Sequence, residues 1–306
     1  MKMLRRFTIA TLATLGLALL PSAHAAGGKV KEYRHMHASW EGVFGHYEKD
    51  QLQRGYQVYR AVCATCHSLS LVAFRHLGDK GGPYYLESCP KGIGIPDNVD
   101  CSDPAQNPII KSLAADFTIT DGPDDAGDMF TRPGLPSDYI PSPYANRQQA
   151  MAVNGGAYPP DMSLLTKARH HGTAYMYSLL TGYVDPPEIL NVEGAQYYNP
   201  YYPGDTKSLV KPEYLDEDGN LLDGLELPYG GVFKMKAPLT DGIVAYEDGT
   251  PETVDQYAQD VTAFLQWAAE PKLEERKAMG RFVILYLFIF AGIVYASYRQ
   301  IWRNVQ

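Results

Sequence analysis

Cys63-Ala64-Thr65-Cys66-His67 is the stretch that most narrows how this chain folds. Two thiols three positions apart, followed at once by an imidazole, have the spacing of c-type haem attachment. The cysteines form thioethers with the vinyl groups, and the histidine reaches the iron from one face. The rest of the chain then has to hold that group and exclude water from it. The same pattern occurs in disulfide or redox pairs and as half of a zinc site. A zinc site needs about two further ligands at comparable spacing, and the sequence holds no second CxxC and no HxxxH. A redox pair has no use for the histidine.

The chain has 306 residues, enough for one large domain or two ordinary ones with a real core. Its other two cysteines, Cys89 and Cys101, fall in a Pro/Gly-rich segment. In an oxidising compartment the natural reading is a disulfide closing a short loop, the alternative being a free or metal-binding pair. The amino terminus indicates that compartment. Lys2, Arg5 and Arg6 precede an apolar run from Ile9 to Leu20, and Ala23-His24-Ala25 reads as an A-x-A cleavage site, so residues 1–25 are expected to be a cleaved secretory signal peptide. Losing its three positive charges takes the formal net charge from -8 to -11. An acidic exported domain favours basic partners and argues against nucleic acid or anionic lipid surfaces.

Phe282 to Tyr298 is 17 residues without a charge, bracketed by Arg281 and Arg299. As a helix it runs about 26 Å, close to the thickness of a hydrocarbon core. Tyr295, Tyr298 and Trp302 suit the interface, and the arginines snorkel. Basic residues are balanced on the two sides, so orientation follows from export of the amino terminus. The expected organisation is a signal peptide over 1–25, a periplasmic haem domain over 26–280, an inner-membrane anchor over 281–299 that crosses once, and a cytoplasmic tail over 300–306.

Within the domain, Asp50 is a candidate cap for a helix with Leu52, Tyr56, Tyr59 and Val62 on one face, which delivers the chain to Cys63. Gly78 to about Tyr144 reads as irregular loop with a short helix near Ile109 to Ala115. Its acidic residues Asp121, Asp124, Asp125 and Asp128 either face a basic partner or are simply solvated. Asp161 to Tyr183 returns to helical pattern and stops at Pro186-Pro187. The last helix of the domain is expected to start at Thr250 as N-cap with Pro251 at its first position, and to bury Val254, Tyr257, Val261, Phe264 and Leu265. Pro271 breaks it, and a charged segment leads into the anchor. The expected fold is all-α: a cytochrome c-like haem domain with long loop insertions and one carboxy-terminal transmembrane helix.

On the far side of the iron a thioether raises the reduction potential, a second histidine lowers it, and an open site permits ligand binding or peroxidase chemistry. The candidates are Met129, Met151, Met162, Met176 and Met235, with His76, His170 and His171. Met235 stands out because it lies in a Gly/Pro loop, Gly230 to Leu239, that is free of helical constraint.

The chain resembles the cytochrome c1 family over essentially its whole length. The likeness rests on the CxxCH, on Met129-Phe130-Thr131-Arg132-Pro133-Gly134, and on Pro159-Pro160-Asp161-Met162-Ser163 with Ala168-Arg169-His170. It continues through Ser178-Leu179-Leu180-Thr181-Gly182-Tyr183, Asn199-Pro200-Tyr201-Tyr202-Pro203-Gly204, Asp248-Gly249-Thr250-Pro251 and Trp267-Ala268-Ala269-Glu270-Pro271. The resemblance implies one covalent haem c on Cys63 and Cys66, His67 and Met235 as axial ligands, and Arg169 paired with a haem propionate, a match of guanidinium to carboxylate. It further implies membership of a cytochrome bc1 complex, with cytochrome b and the Rieske iron-sulfur subunit as partners and a c-type cytochrome as electron acceptor. The chain alone is then a redox carrier, the quinol chemistry belonging to cytochrome b. The alternative is a membrane-anchored haem peroxidase or ligand sensor. Two positions depart from the family pattern: Met235-Lys236-Ala237-Pro238-Leu239 stands where Met-Ala-Pro-Pro-Leu is usual, and His171 stands where glycine is common. The Asp205 to Tyr229 stretch and the Cys89 to Cys101 loop look like insertions.

Overall fold

In the computed structural model, which describes residues 28–92 and 94–303, two helices cross at a glycine. Helix α1 (Lys49–Ala61) buries Leu52, Tyr56, Val58 and Tyr59 and ends just before the Cys63 turn. It packs on a long helix, Val254–Ala269, whose Tyr257, Val261, Phe264, Leu265 and Trp267 are at most 1% exposed. Gly55 lets the backbones approach: a Cβ there would stand 2.1 Å from the Asp260 carbonyl oxygen and 2.7 Å from Phe264 Cβ. Around that contact the Phe264 ring lies 5.5 Å from Tyr56, 5.7 Å from Tyr59 and 5.7 Å from Trp267. The buried Asp260 carboxylate accepts from Arg54 Nε at 3.0 Å, Tyr246 OH at 2.9 Å and Gln256 Nε2 at 2.9 Å. Burial pushes the pKa of this carboxyl up, and the three donors work against that rise.

The remaining elements, in order, are α2 (Phe74–Gly78), α3 (Pro108–Ala115), strands β1 (Thr118–Asp121) and β2 (Phe130–Pro133), α4 (Arg147–Val153), α5 (Gly172–Thr181), β3 (Tyr197–Asn199) and β4 (Gly231–Phe233). The Val254–Ala269 helix is α6, and α7 (Leu273–Trp302) closes the series. The chain is mostly helical, as expected. The two small antiparallel ribbons, β1 with β2 and β3 with β4, were not legible, because strands of three or four residues are too short to show an alternating pattern.

Several boundaries differ from the sequence reading. Helix α1 starts on Glu48 without a side-chain cap, and Asp50 lies in its first turn, where a negative charge suits the helix dipole. Helix α6 is capped by Thr253, not Thr250. Asp248 takes the Thr250 N–H at 3.0 Å in a local turn, and Asp241 takes the Val254 N–H at 2.7 Å, so the ladder begins later. Between Asp161 and His171 the chain makes successive turns and becomes helical only at Gly172. Asp161 captures the Ser163 N–H, and His171 is left-handed at φ 64°. That backbone conformation is one that glycine adopts freely and a side-chain-bearing residue rarely does. The charged segment after Pro271 forms the first turns of α7 and is no separate linker.

Cys89 and Cys101 are joined in a disulfide, 12 positions apart, which by loop entropy contributes about 3 kcal/mol. Asp205 to Tyr229 belongs to a small second core in which Leu190, Tyr198 and Val210 are buried. Half of the acidic stretch is used internally: Asp121 and Asp138 clamp Arg132, and Asp124 closes its own turn. The signal peptide read over 1–25 and the last three residues of the tail lie outside the described residues.

Replacing Gly55 by Ala gains about 1 kcal/mol of helix propensity and adds overpacking of about 1–3 kcal/mol. A new Cβ 2.1 Å from a backbone oxygen falls at the costly end. Gly55→Ala should therefore lower stability by about 2 kcal/mol in urea unfolding, whereas an unchanged midpoint would mean that the helices cross elsewhere.

Candidate haem site

The Cys63 turn follows from how α1 ends. Val62 N–H still donates to Val58, after which the chain tightens into a 3-10 turn over Cys63–Thr65, with Cys66 N–H and His67 N–H both donating to the Cys63 carbonyl at 3.1 and 2.8 Å. Cys63 is buried in the core and Cys66 half-buried, and neither is bridged, although the other two cysteines are. Burial pushes the Cys63 thiol up to about 12, with Cys66 beside it acting in the same direction. A cavity of about 300 Å³ opens beside Cys66, lined in part by Ser68, Tyr144, Arg147, Tyr158 and Asp161.

His67 Nδ1 lies 2.8 Å from the Pro160 carbonyl oxygen. A carbonyl only accepts, so Nδ1 carries the proton and the Nε2 lone pair is available to a metal. Burial lowers the imidazole pKa, which keeps it in the neutral form that ligates. Tyr59 OH donates to the His67 carbonyl at 3.2 Å, fixing the turn to α1.

Met235 is half-buried against the same core as Cys63. Its loop is held at five points. Strand β4 pairs with β3, with Phe233 opposite Tyr197 and Gly231 opposite Asn199. Gly230, at φ 87°, passes so close to Asn199 and Pro200 that a Cβ would stand 2.2 Å from the Asn199 carbonyl oxygen. Tyr183 OH donates to the Met235 carbonyl at 3.2 Å, and Lys234 Nζ donates to the Gly155 carbonyl at 2.5 Å. The Phe233 ring lies 4.6 Å from Tyr202 and 5.6 Å from Tyr183.

Arg169 is exposed, donates to the Ala168 carbonyl at 3.3 Å, and makes no ion pair among the described residues. It stands beside Tyr175, whose hydroxyl burial pushes up to about 12 while Arg169 acts to lower it. Of the other candidate ligands, Met162 and Met176 are core residues, Met129 is exposed, and His76 Nδ1 accepts the Ala73 N–H. One imidazole with a free Nε2, two unbridged thiols and a thioether on a loop form a donor set that fits a c-type haem. Among the described residues no group of three or more His, Cys, Asp or Glu could hold a bare metal ion.

Residues 38–305 match the family model described as the Cytochrome C1 family. The chain belongs to the cytochrome c1 family. It is 39% identical to a protein named cytochrome c1 from Rhodospirillum rubrum over 310 residues, 96% of each chain. It is 36% identical to the mitochondrial cytochrome c1, heme protein, of Schizosaccharomyces pombe, over 94% of this chain and 78% of that one. It is also 40% identical to a protein named cytochrome b/c1 from Bradyrhizobium diazoefficiens, over 87% of this chain and 35% of that longer protein. Membership makes the chain an electron-transport haem protein, and α7 is one helix long and apolar enough to cross a membrane, with its most apolar window wholly unburied.

The cytochrome c1 motifs acquire mechanical roles in this structure. Asn199, fully buried, donates to the Leu179 carbonyl at 2.9 Å and accepts the Tyr201 N–H at 3.0 Å, locking the Asn199-Pro200-Tyr201 turn to α5. Pro160, Asp161, Tyr183 and Lys234 were not singled out as functional from sequence. A carbonyl acceptor leaves no side-chain signature, and the contacts of Tyr183 and Lys234 span 52 and 79 positions.

Asp161 clips the Pro160 segment to the haem turn. It accepts from Ser68 Oγ at 2.8 Å, Ser70 N–H at 2.9 Å and Ser163 N–H at 2.8 Å. Burial raises its pKa, but the bonds from Ser163 and Ser70 outweigh this and hold it at about 2, below the ordinary 3.8. A depressed carboxyl contributes its stability fully above the ordinary value and loses it as pH falls toward 2. Asp161→Asn should thus flatten the loss of stability between about pH 4 and 2, read by circular dichroism in an acid titration. A variant as acid-sensitive as the parent would show that Asp161 does not hold the turn.

Proposed function

We propose that the chain is the haem-bearing electron-transfer subunit of a cytochrome bc1 complex. It would pass single electrons from the Rieske iron-sulfur subunit to a c-type cytochrome, beside cytochrome b. The observation that carries this reading is His67, its Nδ1 committed to Pro160 and its Nε2 free, at the end of a turn with two unbridged thiols. Family membership and the name cytochrome b/c1 of one relative support the assembly.

In this reading Cys63 and Cys66 would tether one haem c covalently and His67 would ligate through Nε2. Bound there, the group supplies an iron that alternates between ferric and ferrous forms. The chain's residues do the rest by holding that iron. The Pro160 carbonyl fixes the plane and tautomer of the imidazole and raises its basicity. Met235 would supply the second ligand to the iron, a thioether. Met162 is buried in the core with its N–H donated to the Ser68 carbonyl, whereas the Met235 loop is clamped by Tyr183, Lys234 and β3. A thioether there favours the ferrous form and raises the potential. Arg169, exposed and without a carboxylate partner among the described residues, is available to a propionate. The acidic mature surface attracts a basic acceptor.

The membrane topology belongs to the same proposal: residues 1–25 direct export and are cleaved, residues 26–280 stand in the periplasm, residues 281–299 cross the inner membrane, and residues 300–306 form a cytoplasmic tail.

Met235→Leu tests the reading. The weak red absorption band of a sulfur-ligated ferric haem should vanish, and the potential should fall by a substantial part of the roughly 0.8 V that axial ligands command. Carbon monoxide should also bind the ferrous variant. An unchanged spectrum and potential would remove Met235 as the ligand. Rapid carbon monoxide binding by the unmodified protein would favour a sensor or peroxidase.

A further inference from the structure

The loop from Trp40 to Tyr47 runs alongside the start of α7, and its contacts descend the helix in order. Tyr47 N–H donates to Glu274 Oε1 at 2.8 Å. Lys277 Nζ donates to the carbonyls of Trp40 and Gly45. Arg281 Nη1 donates to the Val43 carbonyl at 2.9 Å. Glu274, Lys277 and Arg281 share one helix face and span about 10 Å along the axis. The root of the loop is fixed in the core: Trp40 and Tyr47 are buried, with rings 5.8 Å apart, and Leu273 joins the same cluster. The tip is the opposite. Val43 is 62% and Phe44 79% exposed, with the Arg281 guanidinium 5.3 Å from the Phe44 ring centroid.

Arg281 is the last charge before the uncharged run of Phe282 to Tyr298. If α7 crosses the bilayer, the depth of Arg281 is fixed near the interface, and a tip clamped to Arg281 is carried to the same depth. We propose that Val43 and Phe44 insert into the periplasmic interface of the lipid bilayer beside α7, giving the haem domain a second membrane contact that fixes its tilt. An apolar tip flanked by Arg281 suits the headgroup and acyl boundary, where aromatic side chains collect. A protein partner fits less well. A stable interface buries about 800 Å² per side, and the other exposed residues of this loop, Glu41, Gly42 and His46, offer no apolar surface. This inference rests on the membrane-spanning reading of α7.

The test uses the full haem-loaded chain in phosphatidylcholine and phosphatidylglycerol vesicles, with a nitroxide placed by Phe44→Cys, by Val43→Cys, by Ile289→Cys in mid-span or by Tyr139→Cys on an exposed face far along the chain. Accessibility to oxygen, which partitions into lipid, is compared with accessibility to a water-soluble nickel chelate, and an unchanged haem spectrum reports folding of each variant. The labels at 43 and 44 should favour oxygen over nickel, as at 289, and reverse the ratio seen at 139. Labels at 43 and 44 that favour nickel while 289 favours oxygen would overturn the wedge and leave the anchor standing. Low access to both reagents at 43 and 44 would mean that protein covers the tip, and would also overturn it. A water-like label at 289 would remove the membrane reading and the wedge with it.

Discussion

The close crossing of α1 and α6 at Gly55 is the constraint on which the rest depends. One helix ends on the CxxCH turn, and the other ends at Glu270, just before the anchor helix begins at Leu273. Bringing their backbones together therefore couples the CxxCH turn to the carboxy-terminal anchor helix through one aromatic core. Asp260 reinforces the crossing, since its buried carboxylate is held from α1 by Arg54 and from the preceding loop by Tyr246. Removing either donor would leave a buried charge short of partners, which is more damaging than the pair is stabilising.

Around that frame the segments carrying the two candidate ligands are built differently. The His67 side is local to the turn and to the Pro160–Ser163 segment, held by three hydrogen bonds to Asp161. The Met235 side is a loop with no helix beneath it, positioned by a three-residue ribbon, a tyrosine hydroxyl and a lysine. The departure at Lys236 and Ala237 sits just beyond these clamps. The fixed points, Phe233, Lys234 and the Met235 carbonyl, all lie before it, so the changed sequence leaves these clamps in place.

The sequence was most legible where chemistry or long periodicity writes a pattern. The CxxCH, the apolar faces of α1 and α6, the helix at Pro108–Ala115 and the uncharged span all repeat or cluster within a short window. It was least legible where a distant group decides the outcome. Thr250 looked like an N-cap, but Asp241 and Asp248 had already claimed the nearby N–H groups. Asp161 to His171 had a helical pattern, but a side chain competing for the Ser163 N–H and a left-handed residue at 171 broke it into turns. Nothing in the local sequence ties Lys234 to Gly155 or His67 to Pro160, because those pairings are made by folding across 79 and 93 positions.

The central claim is that Cys63 and Cys66 hold a haem covalently, with every other feature serving that attachment. Intact mass spectrometry of the purified chain after acid–acetone extraction tests it directly. The account predicts a mass raised by one haem that survives extraction, carried on the proteolytic peptide containing Cys63 to His67. A chain that gives up its haem to the solvent, or whose Cys63 and Cys66 emerge joined to each other, would contradict it.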